Sequence, residues 1–312
     1  MPHSDNMRTV TSKDNPVLKS ARKLMTRKGR EEAGAFLVEG RKLITEAFAA
    51  GFFSERVFVN AGALARGEAE AGVFERETAL EETLFRGLAQ TVSPQPYIAV
   101  MRRPGTEEGP ADGAAGAAHL AESGTSESAD EAAGATNLAG SGADGPGRVL
   151  VLDRVGDPGN AGTMVRTALA AGMDEVWCVK GTADIFSDKA MRASAGAVFH
   201  LPVAEGLSAR DCIERARSIG ARIIVCSAGG EDLYKAELLG RIAVVVGSEA
   251  SGAQNELVDA ADAVVGIPMT EKAESLNAAA AAAVVMYEAL RQRSVPGVDC
   301  GVGSEGRGPS PE

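Results

Sequence analysis

The sequence predicts an α/β fold, because short apolar runs alternate with helix-like segments along most of the chain. In the C-terminal part, continuous apolar runs of this kind are typical of a parallel sheet covered on both faces. They are RVLVLD (148–153), EVWCVK (175–180), RIIVCS (222–227), RIAVVVG (241–247) and AVVGIPM (263–269). In the N-terminal part, FLVEG, RVFVN and PYIAVMRR predict a smaller α/β domain. Helices are expected between the strands, at about 16–28, 42–50, 161–171, 187–196, 204–219, 254–260 and 277–293.

Composition divides the chain into domains. Residues 104–147 consist almost entirely of Gly, Ala, Ser, Thr, Glu and Asp, and residues 295–312 are rich in Gly, Ser and Pro. Such segments bury too little apolar area to offset the entropy of ordering, so we expect a disordered acidic linker and a disordered tail. The predicted domains are therefore residues 1–103 and 148–294.

The charge of the chain is segregated. The net charge is −11, but residues 104–147 contribute eight acidic side chains and no Lys or Arg. Residues 1–42 carry ten Lys/Arg against five Asp/Glu. A basic surface that binds nucleic acid is therefore compatible with an acidic protein.

Other features limit the function classes. No apolar run approaches the roughly 20 residues that cross a bilayer, and the N-terminus has no secretory signal, so a cytoplasmic protein is expected. The four cysteines have no CxxC spacing and the three histidines are scattered, which argues against a metal site. Cys178 and Cys226 lie in apolar runs, where a thiol acts as a small buried hydrophobe.

Ligands of parallel sheets bind at the carboxyl ends of the strands, which points to the loops after residues 153, 247 and 269. In the first loop, DRVGDPGNAGTMVRT, Asn160 stands where a helix cap would and Arg166 offers a guanidinium for a phosphate or an oxyanion. Gly162, four residues before Arg166, is expected to leave space beside that guanidinium. Taken alone, Asn160 and Arg166 are more simply a cap and an exposed arginine.

The second loop, GSEASG, has Gly247 and Gly252 at its ends, which permits close backbone approach and positive φ. A structural turn explains it equally well, but Glu249 after a buried strand is expected to need a partner, either Arg166 or Asn160. In the third loop, Ser275 or Asn277 taken alone is more simply an N-cap of the Ala-rich helix that follows.

Two motifs are discounted. GVGSEG at 301–306 matches GxGxxG but has neither a strand before it nor a helix after it, so an NAD-dependent enzyme is the weakest alternative. No loop contains the GK[ST] of an NTPase.

Together the three loops resemble the SpoU (TrmH-like) branch of the SPOUT RNA 2′-O-ribose methyltransferases. The motifs are DPGNAGTMVRTALAAG, VVVGSEASG and IPMTEKAESLNAAAAAAVVMYEALRQ, with ASAGAVFHLPV between the first and second. TSKDNPVLKSARKL and GAFLVEGRKLITEAF resemble the family's substrate-binding domain, which is similar to ribosomal protein L30e.

This resemblance implies a C-terminal SPOUT domain with a deep trefoil knot and an L30e-like N-terminal domain. It also implies a homodimer, S-adenosylmethionine as cofactor and RNA, most simply 23S ribosomal RNA, as partner. The implied catalytic residues are Asn160, Arg166, Glu249, Ser275 and Asn277. The implied cofactor-binding residues are Gly247, Glu249, Gly252, Ile267, Met269 and Leu276.

In this family Arg166 would act as a general base or would hold a phosphate and stabilise the developing alkoxide; the second role is as good, because a guanidinium is almost never neutral. We expect basic residues of the N-terminal part to contact RNA phosphates, although each alone is more simply a solvated side chain. They are Lys13, Lys19, Arg22, Lys23, Arg27, Lys28, Arg41 and Lys42. Alternatives are a tRNA 2′-O-methyltransferase, a thiostrepton-resistance methyltransferase and, from another class, a non-catalytic RNA-binding or ribosome-assembly factor.

Overall fold

The computed structural model describes residues 7, 9–103, 147–270, 272–273 and 275–294. The predicted tail and all but the last residue of the predicted acidic linker lie outside these residues. The described part forms two compact units. The first contains the residues up to 103 together with 157–166 and 183–202, and the second contains 147–156, 167–182 and 203–294.

The first unit is built on a four-stranded mixed sheet of order β1-β4-β2-β3. β1 and β4 are antiparallel, as are β2 and β4, whereas β2 and β3 are parallel. Its elements are α1 (Pro16–Lys23), α2 (Arg27–Ala33), β1 (Ala35–Glu39), α3 (Arg41–Ala49), β2 (Ser54–Asn60), α4 (Ala61–Ala65), β3 (Glu77–Leu80), α5 (Glu82–Arg86) and β4 (Tyr97–Arg102).

Local chemistry explains why the predicted helix at 16–28 is two helices. Asn15 caps α1 through its side chain, with Pro16 at the first helical position. Thr26 then starts a second helix by accepting a hydrogen bond from the N–H of Gly29. A Cβ on Gly29 would lie 1.9 Å from the Lys23 carbonyl oxygen, so only glycine allows the two helices to meet this closely.

The second unit is built on a six-stranded sheet of order β10-β8-β9-β5-β6-β7, in which every pair is parallel. Val149, Val151, Ile223, Val245 and Trp177 form part of its buried core. The predicted parallel α/β fold is therefore confirmed. The elements of the C-terminal part are β5 (Arg148–Asp153), α6 (Pro158–Ala170), β6 (Glu175–Val179), α7 (Asp188–Ser194), β7 (Val203–Leu207), α8 (Ala209–Ser218), β8 (Arg222–Asp232), β9 (Ile242–Gly247), α9 (Asn255–Asp259), β10 (Ala263–Gly266) and α10 (Ala278–Ser294).

Residues 183–202, which the sequence placed within the 148–294 domain, pack in the first unit. Phe186 and Phe199 lie against Phe36 of β1, with ring centroids 4.9 and 6.4 Å apart. The buried Asp184 carboxylate accepts a hydrogen bond from Arg30 at 2.7 Å. These residues therefore pack with the N-terminal residues, although they lie within the predicted C-terminal domain along the sequence. The predicted domain boundaries stay a prediction.

Candidate active site

The site is built at the carboxyl ends of the parallel strands, beginning with Asp153 at the end of β5. Asp153 pairs in register with Gly247 at the end of β9, so the first and second loops leave the sheet side by side. The Asp153 carboxylate is fully buried. It accepts hydrogen bonds at 2.6 Å from both the backbone N–H and the side-chain amide of Gln254. These bonds join the end of β5 to the segment after β9.

The second loop is a tight turn closed on itself. Ser248 and Gly252 exchange backbone hydrogen bonds of 3.1 and 2.9 Å, and Gly252 has a φ of +67°. A Cβ on Gly247 would lie 2.1 Å from the Gly252 carbonyl carbon. The two glycines therefore allow the two ends of the turn to approach each other closely. Glu249 is exposed at the tip of the turn, where water can solvate its carboxylate. Burial therefore does not force this carboxylate to pair with Arg166 or Asn160, as the sequence analysis expected.

A further edge of the site comes from β8, which the sequence ended at residue 227. The strand continues to Asp232, and its pairing with β10 skips from Val225 to Glu231. The intervening backbone packs around Gly266, where a Cβ would lie 3.0 Å from the Ser227 carbonyl oxygen. Residues 227–230 therefore line the start of the third loop, which the sequence did not predict.

The third loop follows β10 and has no regular structure at 267–270 and 275–277. Ile267 and Met269 are half-buried, and Leu276 is a large apolar side chain with 43% of its surface exposed. The Asn277 side chain accepts hydrogen bonds from the N–H groups of Ala279 and Ala280, so Asn277 is the N-cap of α10, the simpler of its two predicted roles. Ser275 is exposed.

Two predictions about the first loop are wrong. Asp157, not Asn160, caps α6: its carboxylate accepts from the Asn160 N–H at 2.8 Å, and Asn160 is the third helical residue. The second concerns Gly162, which does not provide open space beside Arg166. A Cβ there would lie 2.2 Å from the Ala190 carbonyl oxygen, because α7 packs directly against this glycine. Helix packing within the first unit therefore explains Gly162.

Arg166 is exposed on α6. Within the described ranges its guanidinium forms no ion pair and no hydrogen bond. At the start of α6, the Asp157 carboxylate accepts hydrogen bonds from Lys189 at 2.6 Å and from the Asn160 N–H, and these contacts lower the pKa of Asp157. The start of α6 is thus fixed by Asp157 and Lys189, while Arg166 is left available to bind a ligand. Asn160 and Arg166 belong to the first unit, and the cofactor-loop residues belong to the second.

The predicted RNA-binding residues lie on the surface of the first unit. Seven are exposed and Arg22 is half-buried. Several form surface ion pairs, such as Lys19 with Asp14 at 2.7 Å and Arg27 with Glu31 at 2.8 Å. Such pairs contribute little to stability, so a phosphate can replace the carboxylate at small cost.

Sequence reasoning missed Asp153, Gln254, Asp157 and Lys189 as residues that shape the site. Asp153 carries a visible signal, since a carboxylate that closes a buried apolar strand requires donors. Its donor Gln254 lies 101 residues away along the chain, and no sequence pattern identifies that pairing. In the part of the chain that the structure describes, there is no cluster of three or more His, Cys, Asp or Glu suited to a metal ion, and no helix long and apolar enough to cross a membrane.

Family models match both parts of the chain. Residues 147–287 match the SpoU rRNA Methylase family, and residues 15–99 match the MRM3-like substrate binding domain. The 23S rRNA (guanosine(2553)-2′-O)-methyltransferase RlmP of Bacillus subtilis is 29% identical over 282 residues, which cover 90% of this chain and 98% of that protein.

Solved structures of RNA methyltransferases are similar to this protein over most of its length. The AdoMet-bound rRNA methyltransferase of Sinorhizobium meliloti superposes with a TM-score of 0.69 at 27% identity, covering 93% of this chain and 99% of that one. The SpoU methyltransferase AviRb of Streptomyces viridochromogenes, in complex with AdoMet, gives a TM-score of 0.68 at 25% identity, covering 89% and 98%.

Together with the six-stranded parallel sheet, these matches to family models and solved structures place the protein in the class of SPOUT RNA methyltransferases. Within that class, residues 147–287 match the SpoU rRNA Methylase family, and residues 15–99 match the MRM3-like substrate binding domain.

Proposed function

We propose that this protein transfers a methyl group from S-adenosylmethionine to a ribose 2′-hydroxyl of 23S ribosomal RNA. The observation that carries the proposal is the availability of Arg166. It is a cation of the family motif, held on a helix whose start is fixed, and within the described residues no carboxylate neutralises it. The 23S rRNA activity in the name of the Bacillus subtilis relative supports ribosomal RNA as the substrate class.

The loops of the second unit fit the cofactor. The adenosine part of S-adenosylmethionine has an apolar ring and polar edges, which call for apolar side chains beside uncommitted backbone groups. Ile267, Met269 and Leu276 supply the apolar surface. The backbone of 267–270 and 275–277 belongs to no helix or strand and so is free of a regular hydrogen-bond ladder. Gly247 and Gly252 allow the turn after β9 to fold back on itself.

The reaction is a direct substitution. The 2′-oxygen would form a bond to the methyl carbon, the carbon–sulfur bond would break with its electron pair going to sulfur, and the 2′-hydroxyl proton would pass to solvent water. The bound cofactor supplies a methyl group already activated on a sulfonium. We assign Arg166 to the phosphate beside the reacting ribose, where its charge also stabilises the developing alkoxide.

The other predicted catalytic residues take positioning roles. We propose that Asn160 and Ser275 orient the ribose or Arg166, and that Glu249 holds this set of polar groups. Asn277 acts through α10, because its side-chain oxygen is used in capping that helix. Its contribution is to fix where the third loop ends.

Arg166→Ala tests the assignment. We expect methyl transfer to fall by at least a hundredfold while the Kd for S-adenosylmethionine stays within about twofold, because the loops that bind the cofactor are unchanged. Tritium transfer to ribosomal RNA and calorimetry with the cofactor measure the two effects. Arg210→Ala is the matched control, since Arg210 is also an exposed helical arginine but pairs with Glu214. Normal turnover in the Arg166 variant would refute the assignment.

We further propose that the C-terminal domain contains a trefoil knot and forms a homodimer, and that the protein works in the cytoplasm, where it meets ribosomal RNA. Tyr287 on α10 supports dimerisation, because this large ring is 49% exposed and follows a stretch of the helix, residues 278–286, that is entirely apolar. Light scattering after gel filtration measures the mass: twice the mass of the chain is the expected result, and a monomer at micromolar concentration contradicts it.

A further inference from the structure

The first unit contains a groove of about 1080 Å³ that none of the proposed catalytic residues uses. It is lined by the end of β1, by α3 along its length, by Thr91, Ser93 and Gln95 before β4, and by Arg192 and Ala195 from the α7 region. We infer that this groove binds a single-stranded segment of the substrate RNA, with Arg192 as a phosphate contact that belongs to the methyltransferase part of the sequence. The inference rests on the proposed function and specifies how the substrate is held.

Charge at the groove fits a polyanion. Three exposed basic side chains line it, Arg41, Lys42 and Arg192, against two carboxylates. Both carboxylates have other partners: Glu39 accepts from the Gln95 N–H and Glu46 lies 3.3 Å from His200. Arg41 lies 3.8 Å from Glu70, and Arg192 pairs with Asp188 one helical turn away. The Arg41 pair joins two exposed groups and is weak, so a phosphate can replace its carboxylate. The Arg192 side chain is 45% exposed and a guanidinium has five N–H donors, so it can bind a phosphate beside Asp188. Of the predicted RNA contacts, Arg41 and Lys42 are the two that line this groove, and the sequence did not single out Arg192.

One wall of the groove is preorganised. The Glu39 carboxylate accepts hydrogen bonds from the backbone N–H groups of Gln90 at 3.3 Å and Gln95 at 3.0 Å, and from the Thr91 hydroxyl. A single carboxylate thus holds the segment before β4 against the end of β1. A ligand that enters the groove meets a wall already in place, which lowers the entropy lost on binding.

The groove is connected to the proposed catalytic helix through direct packing. Arg192 lies on α7, which contacts α6 at Gly162 through Ala190 and Ala193. Lys189 of α7 also donates to Asp157 at the start of α6. All of these residues belong to the first unit. RNA bound to Arg192 is therefore held by the helix that also fixes the start of the helix bearing Arg166.

The size of the groove favours single-stranded RNA as its ligand. Its volume is close to the upper end of ordinary ligand pockets, roughly 300–1,000 Å³, so it admits a few unstacked nucleotides but not a duplex. Proteins that recognise RNA by its sequence usually bind single-stranded loops, bulges or ends, where the bases are unstacked. Gln95 and Ser93 place polar side chains in the groove that can form hydrogen bonds with a base edge.

Arg192→Glu in the full-length protein tests the inference. The probes are a fluorescein-labelled single-stranded RNA heptamer of mixed sequence and a blunt RNA duplex of the same length, each measured by anisotropy over a range of salt. We expect the Kd for the heptamer to rise at least tenfold and the slope of log K against log salt to decrease in magnitude by about 0.7 for each phosphate that the variant no longer binds. The duplex should bind weakly and respond little.

Arg86→Glu is the matched control. Arg86 is more exposed and also pairs with an acidic residue four positions earlier, Glu82, but it does not line the groove. If the two substitutions weaken heptamer binding equally, or if the duplex binds better than the heptamer and loses affinity through Arg192, the groove is not a single-strand site.

Kinetics separate this inference from the proposed function. If both hold, Arg192→Glu raises the KM for ribosomal RNA with kcat nearly unchanged, the pattern expected when an interaction common to ground state and transition state is removed. If the wild-type protein methylates no RNA but Arg192→Glu still weakens heptamer binding, the proposed function fails and the groove stands. Normal methylation with an unchanged KM in the variant overturns the groove alone.

Discussion

Asp153 illustrates what single residues do in this site. Its carboxylate is fully buried, yet both oxygens have donors, chiefly the two groups of Gln254 at 2.6 Å. A buried carboxylate is tolerated only with such partners. Because Asp153 ends β5 and Gln254 precedes α9, the pair sets the position of the turn that carries Gly247 and Glu249. Asp153 is therefore a positioning residue.

Asp153→Ala should weaken cofactor binding and stability together. Losing the carboxylate leaves the half-buried Gln254 groups without this acceptor, at a cost of roughly 1–3 kcal/mol in the free energy of unfolding. We expect the Kd for S-adenosylmethionine to rise at least tenfold because the turn after β9 is released. Asp153→Asn, which keeps an oxygen acceptor, should recover part of both losses. Urea denaturation and calorimetry measure them, and wild-type cofactor affinity in the alanine variant would exclude the positioning role.

At this scale, residue type and spacing sufficed to predict Arg166 and Glu249 as candidates, because motif spacing is a local property. The same reasoning misjudged Gly162. Nothing local distinguishes a glycine that leaves space for a ligand from one that admits a neighbouring helix, and here Ala190 occupies the space. Asn160 was misread as the cap because Pro158 at the first helical position moves the cap back to Asp157.

Helix α7 packs against α6, the helix that bears Arg166, and the segment around α7 packs on the N-terminal sheet. Residues 183–202 pack on β1 through Phe186, and Arg30 forms a buried ion pair with Asp184 at 2.7 Å, with both side chains 6–7% exposed. Arg103 lies over the Phe186 ring, 4.5 Å from its centroid. Aromatic packing and a buried ion pair thus hold this segment to the N-terminal sheet.

Asp184→Ala should destabilise the protein strongly. Removing one partner of a buried ion pair leaves Arg30 uncompensated and typically costs about 3–5 kcal/mol in the free energy of unfolding. Asp14→Ala is the control, because Asp14 pairs with Lys19 at the same 2.7 Å on an exposed surface, and its loss should have little effect. Equal denaturation midpoints for the two variants would show that the buried pair does not hold this segment.

Element prediction succeeded where the burial pattern was strong. All five predicted C-terminal strands are present, because a continuous apolar run is a strong signal for a buried strand. The fifth, β10, ends at Gly266 and not at the predicted residue 269. β7 was missed and predicted as the start of a helix, because VAEGL is mostly half-buried and lacks the apolar run of a central strand. β8 was predicted too short, because its second half, with two consecutive glycines, is stabilised by pairing with β10, a long-range contact.

At the scale of the molecule, the charge of the sequence is distributed according to the roles proposed for its two parts. The basic residues cluster in the N-terminal sequence, which matches a substrate-binding domain, while the loops suited to the cofactor lie in the second unit. The sequence predicted both parts. It did not predict that residues 157–166 and 183–202 would pack with the first unit, because that grouping depends on helix–helix and aromatic contacts between distant segments.

The most direct test of the central claim is the chemical position of the transferred methyl group. Purified protein is incubated with tritiated S-adenosylmethionine and 23S ribosomal RNA, and the RNA is then hydrolysed with alkali. A 2′-O-methyl group blocks cleavage at the neighbouring phosphate, so the account predicts that the label remains in alkali-resistant dinucleotides. Label in single nucleotides, or no label from a protein that binds the cofactor, would contradict it.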